Sequence, residues 1–343
     1  MINRGTQSSR RIARERWRVA FAAVNFTAVA RVCCAAPFAA VLALVFAACG
    51  GADATRDVDA PIRRLVVAGG AAGELAVALG RAQDVVGVDL SAARAPGLPL
   101  SAPRVGYVRS LPVEGLAALR PDLVLATAEA GPPEALEQLR ALGVRVVLLP
   151  DGHGLDGALE RIAAAGDALF ETDRAIAIAE ELRRESTAVR AQLPAGVRPT
   201  VLWVLQPGGG APLVGGSSTA ADGLIREAGG ENAAAALEGW KPMSVEALWA
   251  AAPEVIVVAS IGTTPGKHGH GSLAKLWPAL ADSPAARTAR VVALEPGALS
   301  GGPRHGEHLA ALARAIHPSA AGLAVRDAER TASDGPSAKE PVR

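Results

Sequence analysis

The sequence is poor in aromatic residues and in cysteine, and both shortages narrow what the protein can be. Only eleven of its 343 residues are aromatic, and tyrosine occurs once. All three cysteines, Cys33, Cys34 and Cys49, lie near the N-terminus, so the rest of the chain has no thiol. We therefore exclude thiol catalysis and a disulfide framework for the body of the protein.

Outside the N-terminal region, the sequence also lacks an excess of positive charge. The formal net charge is +1, yet residues 1–48 contain seven Arg and a single acid, so the remainder carries a net charge of −5. A mildly acidic body does not attract a phosphate backbone, which excludes nucleic-acid binding. Half of the residues are hydrophobic, which excludes a disordered polymer. A chain of this length exceeds one typical core and predicts two domains.

The N-terminal region has the order of a secretory signal. An Arg-rich stretch precedes the uncharged run 32–48, which is short for a membrane span and contains Pro37. The following residues, Phe46-Ala47-Ala48-Cys49, resemble the lipobox of bacterial lipoproteins, although Phe46 stands where Leu is usual. We predict a signal peptide over residues 1–48, lipidation of Cys49, and a flexible tether over residues 50–61. Plain signal cleavage that leaves Cys49 unmodified is the alternative.

The rest of the chain alternates short apolar runs with Ala/Leu/Glu-rich stretches. Apolar runs bounded by Gly, Pro and Asp are typical of parallel strands covered on both faces. The predicted strands are 64–68, 85–89, 122–126, 144–149, 200–206, 254–260 and 290–294. Helices between them, such as 73–79 and 132–142, complete a βαβ pattern that predicts parallel sheets.

A long charged stretch interrupts this pattern. Residues 167–193 contain neither Gly nor Pro and have apolar residues at helical spacing, which predicts one helix joining two lobes. The fold class is therefore α/β: two Rossmann-like lobes, 62–166 and 196–318, joined by an interlobe helix, 167–195. The tail 319–343 is polar and predicted to be disordered. Ligands commonly bind between two such lobes.

Several motifs have both a functional and an ordinary interpretation. Gly69–Gly73, with Asp89 further on, imitates a dinucleotide fingerprint, but Ala68 stands at its first glycine and a plain strand-to-helix turn is favoured. No G-x-S-x-G motif occurs. His268 and His270 form the most metal-like pair, without an evident further ligand. His305 and His308, three residues apart near a helix start, could share one helix face, and an exposed capping pair and a functional pair are equally open.

Tyr107 is the most informative residue, since it is the only tyrosine and lies in the loop RVGYVRS, 104–110. Loops at the carboxyl ends of strands carry ligands in α/β folds, and a phenolate can be an axial ligand of haem iron. In an extended segment Arg109 would point to the same side and lower the phenol pKa.

Several segments are similar to a known family, the class III periplasmic substrate-binding proteins of ABC importers, in their haem-binding branch. The similar segments are VVAGGAAGELAVALG (66–80), PRVGYVRSLPVEGLAALRPDLVLA (103–126), AGPPEALEQLRALGV (130–144), TAADGLIREAGGENAA (219–234), GWKPMSVEAL (239–248) and GPRHGE (302–307). The resemblance covers about residues 62–317, and the G-Y-x-R segment is its most discriminating part.

The resemblance implies a function and a set of residues. Tyr107 would bind ferric haem, with Arg109 beside it. Trp240, Met243 and Arg304 would support the haem in the cleft. Glu74 and Glu231, as exposed acids on the two lobes, would dock to the permease.

The implied protein is not an enzyme. It would be exported, lipid-anchored outside the cytoplasmic membrane, and would deliver haem to an ABC permease and its ATPase. The open alternatives are a ferric siderophore or cobalamin as ligand of the same fold, a metal chaperone using His268 and His270, and an exported NAD-dependent enzyme. An additional His for a second haem, among His268, His270 and His305, is not assigned.

Overall fold

The computed structural model describes residues 61–205, 212–259, 284–288 and 290–317. All of them fall within one compact unit, Thr55–Arg343. The predicted signal peptide, Cys49, the tether, the pair His268 and His270, and the tail 319–343 lie outside the described residues.

The N-terminal lobe is built on a four-stranded sheet. Its strands are β1 (Leu65–Ala68), β2 (Val85–Val88), β3 (Leu123–Ala126) and β4 (Arg145–Leu148), and its helices are α1 (Gly70–Ala78), α2 (Val113–Ala118) and α3 (Pro133–Ala141). The spatial order is β2-β1-β3-β4 and every pairing is parallel, as the βαβ pattern predicts. The predicted strands are confirmed to within one residue at each end.

The central strands are apolar throughout because both of their faces are covered. In β1, Leu65 and Val67 pack into one core with Leu75 of α1, while Val66 and Ala68 pack into a second core. All four residues of β1 and of β3 are buried. Alternation of side chains along a strand thus supplies two cores from one apolar run.

Two helices, not one, follow the first lobe. The helix α4 (Gly154–Leu169) ends at Phe170, whose backbone is left-handed (φ 58°), and α5 (Thr172–Ala191) begins two residues later. The prediction of a helix beginning at residue 167 is therefore wrong by five residues, because Asp167 and its neighbours complete α4. The N–H of Glu171 donates to the carbonyl of Gly166 (2.8 Å) and closes the end of α4.

The helix α5 is the predicted interlobe helix and contributes to both lobes. It buries Ala175 and Leu182 in the core of the N-terminal lobe and Val189 in a core of the C-terminal lobe. Within the described residues, no helix is both long enough and apolar enough to cross a bilayer.

The C-terminal lobe has a mixed sheet. Its strands are β5 (Thr200–Leu205), β6 (Leu213–Gly215), β7 (Glu231–Asn232), β8 (Trp240–Pro242), β9 (Val255–Ala259) and β10 (Val291–Leu294), and its helices are α6 (Ala220–Glu227), α7 (Val245–Ala251), α8 (Pro284–Arg287) and α9 (His305–Ile316). The order is β10-β9-β5-β6-β8, with β7 also paired to β5. The β6 strand is antiparallel to both β5 and β8, so the sheet is mixed, whereas the strands predicted from the sequence, β5, β9 and β10, are parallel to one another.

Candidate functional site

A cleft of about 360 Å³ lies between the two lobes. On the N-terminal side it lies at the carboxyl ends of β1, β3 and β4, where parallel α/β sheets place their ligands. The N-terminal lobe and α4 line it with Gly70, Ala71, Arg109, Thr127, Ala128, Glu129, Pro150, Asp151, Gly152, His153 and Arg161. The C-terminal lobe lines it with Ser218, Thr219, Ala220, Gly239, Trp240, Leu299 and Ser300.

The Tyr107 loop is a tight turn at this cleft. The N–H of Ser110 donates to the carbonyl of Tyr107 (2.8 Å), so the expected extended segment is replaced by a turn. The neighbouring Val108 is only 2% exposed whereas Tyr107 is 46% exposed. Arg109 lines the cleft. The turn therefore combines a buried anchor, an accessible phenol and a cation at the cleft.

Backbone contacts fix this turn from two sides. The N–H of Leu90 donates to the carbonyl of Gly106 (2.9 Å), and the N–H of Gly131 donates to the carbonyl of Val108 (2.9 Å). Gly106 has φ +92°, a conformation that side-chain-bearing residues rarely adopt. The glycine preceding the tyrosine is thus required by the turn itself.

Asp89 stands where a dinucleotide fingerprint has its ribose-binding acid, but it has a different role in this structure. Its side chain is fully buried and accepts four backbone N–H groups, from Gly69, Ser91, Ala92 and Val108. A carboxylate whose acceptor positions are filled in this way is not available to a ribose hydroxyl. The observation favours the ordinary turn over dinucleotide binding.

The two predicted wall residues of the C-terminal lobe differ in position. Trp240, in β8, is partly buried and lines the cleft. Met243 is 9% exposed and packs in the lobe's core with Leu202 and Val258. The structure thus places Met243 in the core of the lobe and not among the residues that line the cleft.

Arg304 does not line the cleft either. Its Nη2 lies 2.8 Å from a Glu295 oxygen and its Nε lies 2.9 Å from a Glu307 oxygen. Both carboxylates hold the guanidinium at the start of α9. In this arrangement Arg304 is paired with two carboxylates, and its support of a ligand stays a prediction.

Glu74 is buried between the lobes, so the expectation that it is an exposed acid is wrong. Its side chain is 7% exposed, and the Ser300 hydroxyl donates to its Oε2 at 3.2 Å. Burial raises the pKa of the Glu74 carboxyl to about 7, although the charge of Arg304 and the Ser300 hydrogen bond oppose the rise. Glu231, by contrast, is exposed on β7.

The two histidines of α9 are buried, so they are not an exposed capping pair. His305 is 3% exposed, with its Nε2 2.7 Å from an oxygen of Glu227. His308 is 5% exposed and lies 2.8 Å from Glu295. The hydrogen bond with His308 lowers the pKa of the Glu295 carboxyl to about 2. His305 is thus committed to a carboxylate and does not line the cleft.

Sequence reasoning missed two cationic or potentially cationic residues of the cleft. Arg161, on α4, is 7% exposed and donates to the carbonyls of Pro150, Gly152 and Gly301, so it joins the two lobes. Burial lowers the pKa of its guanidinium. His153, the residue before α4, is exposed and lines the cleft. Neither residue lies in a recognisable sequence motif, because each joins the site only through the packing of the two lobes.

The described residues offer no resident metal centre. No group of three or more His, Cys, Asp or Glu side chains in that part of the chain is arranged to hold a metal ion. The polar cleft is the candidate ligand site. Arg109 of the Tyr107 turn lines it, whereas Tyr107 itself is exposed and is not among the lining residues.

Comparison with known proteins agrees with this architecture. The profile of the family described as "Periplasmic binding protein" matches residues 65–298. No match was found among curated proteins.

Three solved structures are similar over most of the chain. A periplasmic heme-binding protein from Pseudomonas aeruginosa is 39% identical, with a TM-score of 0.68, over 75% of this chain and 94% of that protein. The periplasmic heme-binding protein RhuT from Roseiflexus sp. RS-1, in apo form, is 36% identical, with a TM-score of 0.69, over 75% and 99%. The periplasmic heme-binding protein BhuT, in complex with two hemes, is 37% identical, with a TM-score of 0.66, over 77% and 100%.

These likenesses and the two lobes joined by α5 confirm the resemblance that the sequence suggested. The chain belongs to the periplasmic binding protein family and has the fold of its class III members.

Proposed function

We propose that this protein captures ferric haem in the interlobe cleft, with Tyr107 as the iron ligand, and delivers it to an ABC permease. The observation that carries the proposal is the one tyrosine of the chain, about half exposed, on a hydrogen-bonded turn whose Arg109 lines the cleft. Relatives 36–39% identical over three quarters of the chain are described as heme-binding, which supports the same ligand here. Membership of the periplasmic binding protein family supports capture of a ligand outside the cytoplasm rather than catalysis.

The chemistry of the turn suits a ferric ion. A phenolate oxygen is an axial ligand that favours ferric haem. Because Tyr107 is about half exposed, iron can reach its oxygen without displacing the core residues Val108 and Leu111. The charge of Arg109, two residues on, attracts the carboxylates that haem carries.

The remaining affinity comes from covering the porphyrin faces. Trp240 from the C-terminal lobe, with Pro150 from the N-terminal lobe, offers apolar surface on opposite sides of the cleft. Burial of apolar area contributes roughly 25 cal/mol per Å² removed from water. An iron–oxygen bond and two apolar walls together hold a flat, amphipathic ligand.

A ferric siderophore or cobalamin is the principal alternative ligand for the same fold. Siderophore binders gather several arginines in the cleft, and cobalamin binders use aromatic walls. Among the described lining residues, Trp240 is the one aromatic side chain, and Arg109 and Arg161 are the two arginines, with Glu129 and Asp151 beside them. This composition favours haem over both. Binding of a metal ion by His268 and His270 concerns residues outside the described part of the chain.

Delivery to a permease is proposed from the family and from one exposed acid. Glu231 lies at the surface of the C-terminal lobe, where a carboxylate can meet a basic partner surface. Glu74 is covered by residues around Ser300, so docking through Glu74 requires the two lobes to separate locally. Anchoring through a lipidated Cys49 would keep the protein beside the permease.

Titration with hemin tests the proposal. The unaltered protein is expected to give a saturable Soret band and a charge-transfer band near roughly 600 nm, typical of tyrosinate-bound ferric haem. Tyr107→Phe removes only the phenolic oxygen and is expected to lose that band and most of the affinity. Phe170→Leu, a change at an exposed ring on the α4–α5 junction, serves as the matched control.

Two outcomes would contradict the proposal in different ways. An unchanged spectrum for Tyr107→Phe would remove Tyr107 as the iron ligand. A featureless, non-saturating response of the unaltered protein would reject haem and make a ferric siderophore the next ligand to test.

A further inference from the structure

The side chain of Asp89 joins loops around the proposed iron ligand. It follows β2, is fully buried, and accepts four backbone N–H groups at 2.7–3.0 Å. An ionised carboxyl group offers about four acceptor positions, so all of its hydrogen-bonding capacity is used. Each donor is a main-chain amide, which makes the arrangement independent of side-chain partners.

The two carboxylate oxygens hold different parts of the lobe. Oδ1 accepts from Gly69 (2.8 Å), at the end of β1, and from Ala92 (2.7 Å), in the short 3-10 turn Ala92–Arg94. Oδ2 accepts from Ser91 (2.9 Å) and from Val108 (3.0 Å). Through Val108, the second oxygen holds the residue directly after Tyr107.

This contact fixes the Tyr107 turn at its centre. The N–H of Val108 points to Asp89 while its carbonyl accepts from Gly131, so the peptide groups on both sides of its Cα are held. The Tyr107 side chain is 46% exposed, so packing covers it only in part. The direction of its side chain therefore depends on how rigidly the backbone at Val108 is held.

We propose that Asp89 is a positioning residue for Tyr107: its buried carboxylate fixes the turn so that the phenolic oxygen meets iron in one geometry. This inference rests on the proposed function. In the apo protein the carboxylate pre-orders the turn, so binding does not have to order it. Loss of Asp89 then lowers haem affinity without removing the iron ligand itself.

The variant Asp89→Asn tests this inference in the full-length protein. An amide keeps one acceptor oxygen and turns an NH₂ group toward two N–H donors, which breaks one side of the arrangement. Hemin affinity is expected to fall by about tenfold or more, in line with the loss of a charge-assisted buried hydrogen bond. The ferric spectrum is expected to change from one species to a mixture, because the tyrosine is no longer held in one orientation.

The matched control is Asp122→Asn. Asp122 also accepts two backbone N–H groups, from Arg63 and Arg64 (both 3.0 Å), but it lies at the opposite end of the same sheet. Its loss is expected to lower the thermal midpoint while leaving hemin affinity and spectrum unchanged. A fall in affinity for both variants in proportion to lost stability would assign Asp89 a merely structural role.

Gly106→Ala disturbs the same turn without altering the carboxylate. A Cβ there is forced into a left-handed backbone and lies 3.1 Å from the Cδ of Pro112. It is expected to reproduce the mixed spectrum, and it decides the matter if Asp89→Asn does not fold. The inference would be overturned if a folded Asp89→Asn variant kept normal hemin affinity and a single ferric spectrum. If Asp89→Asn does not fold, the same result for Gly106→Ala would overturn it. If Tyr107→Phe still binds hemin normally, the proposed function fails instead.

Discussion

The buried Glu74 predicts that stability depends on pH in the physiological range. Its carboxyl lies between α1 and the segment around Ser300, and burial raises its pKa from the ordinary 4.5 to about 7. The folded chain therefore holds this proton over a range in which the unfolded chain has already lost it. On account of this group, the free energy of unfolding is highest below pH 4.5, falls as the pH rises toward 7, and is level above.

The size of the effect follows from the interval between the two pKa values. A pKa difference of one between the folded and unfolded chain changes the free energy of unfolding by about 1.4 kcal/mol. The difference between 4.5 and 7 therefore corresponds to roughly 3 kcal/mol as an upper limit. Glu74→Gln keeps the shape and cannot lose a proton. The variant is expected to match the unaltered protein near pH 4.5 and to be more stable by up to roughly 3 kcal/mol at pH 8.

Urea unfolding at several pH values measures this difference. The fluorescence of the fully buried Trp203 reports unfolding, and the difference between variant and unaltered protein cancels the contributions of groups that the two proteins share. Glu295 does not interfere, because its lowered pKa of about 2 confines its contribution to more acidic solutions. Glu231→Gln, which removes an exposed acid, controls for the loss of one charge.

Parallel stability curves for Glu74→Gln and the unaltered protein between pH 5 and 8 would refute the reasoning. They would mean that the charge of Arg304 compensates the burial of the carboxylate in full. A difference that grows toward acid would reverse the sign and contradict the burial of a neutral carboxyl.

Three further outcomes are expected. Trp240→Ala should weaken hemin binding roughly tenfold in a hemin titration, because it removes an aromatic wall. Met243→Ala should leave hemin affinity unchanged and lower the free energy of unfolding, measured with urea, by about 2–5 kcal/mol. The reverse pattern would mean that Met243 forms part of the cleft. Glu231→Arg should lower haem uptake by a reconstituted importer without changing hemin affinity, because it alters a surface acid; undiminished uptake would contradict docking there. Cys49→Ser should abolish incorporation of labelled fatty acid and release the protein from the membrane fraction, and continued labelling would disprove lipidation at Cys49.

The sequence predicted the sheets well where strands are covered on both faces. The runs that became β1, β3 and β9 are wholly apolar and bounded by Gly, Pro or Asp, which leaves little ambiguity. The strands β6, β7 and β8 have two or three residues each, too few for any periodicity. The break at Phe170 was missed because a left-handed residue without Gly has no clear sequence signal.

The site was predictable only in its local part. The G-Y-x-R segment identified the turn because the sole tyrosine, its glycine and its arginine are neighbours in the chain. The burial of Glu74 depends on Ser300, more than two hundred residues away, and the burial of Met243 depends on strands from elsewhere in the lobe. Asp89 acts on main-chain amides, which every sequence has, so no side-chain pattern reveals its partners.

The helix α5 also has a consequence for folding cooperativity. Because Leu182 completes one lobe's core and Val189 completes the other's, neither lobe can release α5 without opening a cavity in its own interior. Loss of either core removes a packing surface from the same helix and so weakens the second core. The two lobes are therefore coupled thermodynamically and unfold in a single transition, so damage confined to one lobe lowers the stability of both.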